Sequence, residues 1–123
     1  MDKVLAVGVG GFFGATARYG AGLLVLRLLP ATFPFGTFLV NVSGCFLIGV
    51  LGALADRAAI GDLARVFWIT GVLGGYTTFS AFGYESLLLA RGGQAPAALA
   101  NVLGQVGLGL LAVWAGTVVA RYL

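Results

Sequence analysis

Apolar residues run through this chain in four long blocks, at residues 4–29, 36–55, 66–90 and 97–121. A helix needs about 20 apolar residues to cross the hydrocarbon core of a bilayer, and each block reaches that length. Short stretches at 30–36, 56–65 and 91–96 separate them. Proline and glycine in the first and last of these stop one helix and start the next. The middle stretch is a small mixed-charge loop holding Asp56, Arg57, Asp62 and Arg65. The pattern predicts an all-α membrane protein of four transmembrane helices, a single domain over residues 1–123.

Polar residues inside three of the blocks fall at helical spacing. In the first, Gly10, Gly14 and Arg18 follow one another at intervals of four and share a face. In the second, Thr37 and Asn41 share a face that Gly44 and Cys45 continue, while Ser43 points elsewhere. In the fourth, Asn101, Gln105 and Gly109 make a second polar stripe. An amide in hydrocarbon either bonds across a helix interface or lines a path where its N–H groups meet a passing anion. An arginine in the bilayer either snorkels to the interface or faces water at the mouth of a vestibule. Both alternatives stand for Asn41 and for Arg18.

The third block is interrupted. Gly74-Gly75-Tyr76-Thr77-Thr78-Phe79-Ser80-Ala81-Phe82 sits near its middle. Paired glycines weaken a helix, and paired threonines bring hydroxyls and β-branching where a lipid-facing helix wants bulk. Backbone freed from a helix inside a membrane is tolerated only where protein buries it or where it lines a cavity. The expectation is a third helix broken near its middle, at a place that handles an ion. Phe79 and Phe82, three apart, lie on one side of the second half-helix. Glu85 follows three residues on, either as an interfacial anchor or as a vestibule residue.

Composition narrows the class. Of 123 residues, 60% are hydrophobic and 9% charged, and the mean hydropathy is +1.05, which leaves no room for a soluble domain. The first block is too long for a cleavable signal peptide. There is no histidine, and the lone Cys45 lies inside a span, so no disulfide framework or Cys/His metal site arises within one chain. The net charge of +3 comes without a basic run, which argues against nucleic acid as a partner. The glycines at residues 8–14 brush against a dinucleotide fingerprint, but no strand precedes them and no acidic residue follows at the needed distance. The chain is read as a transport protein and not an enzyme.

Four helices hardly enclose a pore by themselves, and 21 glycines favour close helix association, so an oligomer is expected, most simply a dimer. Lys3, Arg57, Arg65 and Arg121 fall on one side of the membrane, Arg27 and Arg91 on the other. So small a bias sets topology weakly, which suggests insertion in both orientations.

The motifs closely resemble the Fluc (CrcB-type) fluoride channels of microbes. The matching segments lie in all four spans: Gly10 to Tyr19, Gly36 to Asn41 with Gly44 and Gly49, Gly74 to Phe82 with Glu85, and more weakly Gly109 to Trp114. The resemblance implies an antiparallel dual-topology homodimer with two pores, in the inner or plasma membrane of a prokaryotic cell. It implies passive export of fluoride from the cytoplasm, lowering its toxicity. It also implies a central structural Na⁺, held by the backbone carbonyls of Gly74 and Thr77 from both subunits. Carried over, the fluoride pore is lined by Asn41, Phe79 and Phe82, with Thr37 and Ser80 as hydroxyl donors and Arg18 in the vestibule. Well-known members carry a tyrosine and serines on the last span. Here Asn101 and Gln105 occupy that face as candidates.

The physics suits that assignment. A fluoride pore must replace hydration with donors without holding the ion too tightly. Amides, hydroxyls and the weakly positive edges of aromatic rings do this. Two other functions compete: a dual-topology exporter of the small multidrug-resistance type and a non-transporting scaffold. The first relies on a carboxylate embedded in the first span, and this chain has none there. The second accounts for the glycines but not for Arg18 with an interrupted third span.

Overall fold

The computed structural model describes residues 2–123. Every regular element among them is helical. They run α1 (Asp2–Leu28), α2 (Phe35–Asp56), α3 (Asp62–Arg65), a π-helical run (Val66–Leu73), α4 (Gly74–Tyr76), α5 (Phe79–Arg91) and α6 (Ala95–Val119). A 3₁₀ turn (Ala120–Tyr122) closes the chain. Among the described residues, three helices are long and apolar enough to cross a membrane: Asp2–Leu28, Phe35–Asp56 and Ala95–Tyr122. The 22 residues of α2 rise about 33 Å, enough for the ~30 Å hydrocarbon core. The third apolar block is instead divided between the π-helical run, α4 and α5. Part of the expected 56–65 loop is helical as α3.

The ends of these elements follow from local chemistry. Pro96 sits in the first turn of α6, where a missing N–H costs nothing. After α5 the chain turns through Gly93 at φ +76°, a conformation glycine adopts without a steric penalty. Thr78 caps α5, its side-chain oxygen accepting the Ala81 N–H at 3.2 Å.

Two helix pairs carry the packing. α2 lies along α6, and α1 lies along the π-helical run and α4, while α5 rests mainly on α6. Lipid supplies no hydrophobic drive between helices, so backbones must approach closely to gain dispersion and polar contact. Glycine permits it. A methyl added to Gly75 would lie 2.6 Å from the Gly11 carbonyl oxygen, and one on Gly10 would lie 3.0 Å from the Gly71 Cα. Gly49 and Gly116 do the same between α2 and α6.

The apolar core is small: Val40, Leu73, Phe82, Ala98 and Ala120. Large apolar side chains such as Leu5, Phe12, Leu103 and Leu110 point outward, as a lipid-facing or partner-facing surface requires. The two most deeply placed polar side chains are Asn101 at 0% exposure and Gln105 at 8%.

Candidate functional site

The helix ladder is interrupted at Thr77 and Thr78. Thr77 has φ −81°, ψ 158° and Thr78 has φ −151°, ψ 112°, both extended. In a continuous helix the Thr78 N–H would close on the Gly74 carbonyl and the Ala81 N–H on that of Thr77. Both donors go elsewhere. Thr78 N–H donates to Asn41 Oδ1 at 2.8 Å, and Ala81 N–H donates to Thr78 Oγ1. The interruption releases the carbonyls of Gly74, Gly75, Tyr76 and Thr77 from the ladder, the sequence-expected Gly74 and Thr77 among them. Gly74 is exposed, whereas the Thr77 oxygen accepts a hydrogen bond from Arg18 Nη1 at 3.2 Å. Arg18 is therefore directed at the interruption itself.

Asn41 faces the same place from α2. Its Nδ2 donates to the Thr78 carbonyl at 3.0 Å while its Oδ1 accepts from the Thr78 N–H. The second Nδ2 hydrogen goes to Gln105 Oε1 at 2.7 Å. Gln105 Nε2 donates to Asn101 Oδ1 at 2.9 Å, and Asn101 Nδ2 to Ser86 Oγ at 2.9 Å. Ser86 ends the run on the Phe82 carbonyl at 2.7 Å. Asn41, Gln105 and Asn101 thus bond across helix interfaces, and both hydrogens of the Asn41 amide are engaged within the chain.

A cleft of about 540 Å³ opens between α1, the turn after it, α2 and α5. Arg18, Thr32, Thr37, Thr78, Glu85 and Gln94 supply its polar wall, and Phe33, Val40 and Leu88 part of its apolar one. Thr37 Oγ1 donates to Glu85 Oε1 at 2.8 Å. The other Glu85 oxygen is buried without a hydrogen-bond partner. Of the site residues expected from sequence, Arg18 and Thr37 line this cleft. Asn41, Phe79, Ser80 and Phe82 do not.

The two phenylalanine rings touch, with centroids 5.4 Å apart at 53°, yet their surroundings differ. Phe82 is buried at 9% exposure and Phe79 lies open at 83%. Ser80 is also exposed, 3.3 Å from Thr78 Oγ1.

Residues 5–117 match the model of a family described as CrcB-like protein, Camphor Resistance (CrcB). The chain belongs to the CrcB family. Similar whole-length relatives are called fluoride-specific ion channel FluC. One from Rhizobium meliloti is 46% identical over 98% of both chains. One from Salinibacter ruber is 46% identical over all of this chain and 92% of its own. A Thermus thermophilus relative is 44% identical over 94% and 93% of the two chains.

Within this CrcB-family chain, sequence reasoning placed Thr78 in the interruption without giving it a role and passed over Ser86. Thr78 caps α5, pairs twice with Asn41 and walls the cleft. A threonine directly before an apolar helical run is the N-cap signal that marks it. Ser86 carries no comparable signal, because its importance depends on which residue of α6 lies opposite.

Proposed function

We propose that this chain is a fluoride-selective ion channel through which fluoride leaves the cytoplasm passively, relieving its toxicity. The whole-length likeness to relatives named fluoride-specific ion channels carries the reading. The channel works as an antiparallel dual-topology homodimer in the cell membrane of a prokaryote. Its pores lie where two copies meet.

The geometry supports this. Arg18 stands in an open cleft and raises the local anion concentration by its charge. Phe79 and Ser80 lie on an outward surface that a second copy would cover, and ring edges and hydroxyls there replace part of fluoride's hydration. Phe82 backs Phe79, and the Thr37 hydroxyl in the cleft reaches an anion only by giving up its bond to Glu85 Oε1. Asn41 acts on the path through the Thr78 backbone that it holds, since both hydrogens of its amide are engaged within the chain.

A structural Na⁺ fits this backbone only in part within one copy. Gly74 and Thr77 provide carbonyls outside the helix ladder, the kind of oxygen that holds Na⁺ at broken helices. Arg18 already bonds the Thr77 oxygen, which has a second lone pair to offer. Two such oxygens from one chain leave a shell for a second copy to complete. A bound Na⁺ there supplies fixed positive charge near the anion paths.

Proteoliposomes loaded with fluoride and chloride, read by ion-selective electrodes, test the proposal. Rapid fluoride release without chloride release is expected. Equal rates, or release that demands a proton gradient, would overturn it.

A further inference from the structure

The buried amides of α6 form a run whose polarity is decided at one end. Thr78 offers Asn41 a backbone N–H, which can only donate, and a backbone carbonyl, which can only accept. The Asn41 amide therefore has one permitted orientation. Its remaining hydrogen faces Gln105, so Gln105 must present oxygen to it and turn its nitrogen the other way. That nitrogen needs an acceptor, which sets Asn101 with its oxygen toward Gln105. Asn101 then donates to Ser86, whose single hydroxyl hydrogen is left for the Phe82 carbonyl. The run begins on Thr78 and ends on Phe82, one turn later on the same helix. Between these points it passes through α2 and α6. Phe79 lies between its two ends.

We infer that Gln105 is a positioning residue for the ion path: with Asn101 and Ser86 it locks the Asn41 amide and, through it, the helix turn that bears Phe79 and Phe82. This inference rests on the channel reading for its functional meaning. The geometry it uses is separate. Gln105 is 8% exposed and Asn101 fully buried, so their amides do not need to touch the ion in order to act. Buried polar groups left half-satisfied are costly, so a break in the run is felt at its neighbours.

A double-mutant cycle tests the idea. Gln105→Met keeps length and removes both bonds; Asn41→Ala removes the amide through which Gln105 acts. Gln105→Met is expected to lower fluoride efflux at least about tenfold, the effect of losing buried hydrogen bonds to Asn41 and Asn101. In the Asn41→Ala background the same change should have no further effect, because the groups act as one unit. Additive losses would overturn the positioning role.

A second readout does not depend on flux. Side-chain amide exchange, followed by NMR in micelles, should show the Asn41 NH₂ protected in the wild type and about tenfold faster in Gln105→Met. Asn41 exchange unchanged by Gln105→Met would also overturn the inference. If wild-type protein carried no fluoride, the channel reading would fall, and the exchange data would still decide whether Gln105 holds Asn41.

Discussion

Asn41 pairs with Thr78 as one β-strand residue pairs with another, exchanging both N–H···O bonds at 2.8 and 3.0 Å. A side-chain amide on one span thus stands in for the helix ladder that another span has lost. The Thr78 N–H stays satisfied without the Gly74 carbonyl, which is the condition a membrane sets for irregular backbone.

Asn41→Asp separates the two halves of that pairing. A carboxylate still accepts from the Thr78 N–H but donates to neither the Thr78 carbonyl nor Gln105. It also repels an anion. Fluoride efflux from proteoliposomes should fall by at least about tenfold. Wild-type flux would leave Asn41 as a bond between helices alone.

Phe79 and Phe82 should part company under the same substitution. Phe82→Ile alters a buried ring and is expected to lower thermal stability by about 1–2 kcal/mol as well as reducing flux. Phe79→Ile changes a ring that is 83% exposed in one chain, so flux should fall while each chain's fold is kept. Parallel melting curves and efflux assays resolve the two.

Gly75→Ala should be among the most damaging conservative changes. Its methyl would meet the Gly11 carbonyl at 2.6 Å and the Ala15 nitrogen at 3.1 Å, and neither backbone atom can swing away. A loss of about 1–3 kcal/mol is expected. Gly8→Ala meets nothing within 4 Å in the chain and should be neutral, or slightly stabilising through helix propensity. Thermal unfolding in detergent compares them.

Arg57 joins the end of α2 to the end of α6. It donates to the Ala53 carbonyl at 3.4 Å and, through Nη2, to that of Ala120. Because Arg57 itself is exposed, Arg57→Ala should cost only about 1 kcal/mol. Hydrogen exchange should accelerate at residues 120–123 and stay slow around Asn101 and Gln105.

Much of this was legible in the chain because membranes impose simple rules. Apolar blocks announce helices by length, and glycines at intervals of four announce close contact, as Gly10 and Gly14 on α1 illustrate. The amide row Asn101 and Gln105 was visible as a stripe, but its partners were not. Asn41 and Ser86 stand 64 and 15 residues away from the amides they bond, and only the packing of α2 and α5 on α6 brings them together. The spacing of Phe79 and Phe82 placed them on one side, yet a three-residue step also separates a core position from an outer one. The π-helical run over Val66–Leu73 left no mark at all in composition, since it is a choice of backbone partner among residues that suit an ordinary helix equally well.

The third apolar block is shared between two neighbours. Its first half lies against α1 through glycine contacts too close for a methyl, and its second half rests mainly on α6. In mechanical terms these are two stiff planks joined by a two-residue joint, with Arg18 pinning one side of it and Asn41 the other. Any displacement of one plank against the other must be absorbed at Thr77 and Thr78. The Thr77 oxygen that Arg18 holds therefore sits at the joint, where a shift in either plank would be felt at once.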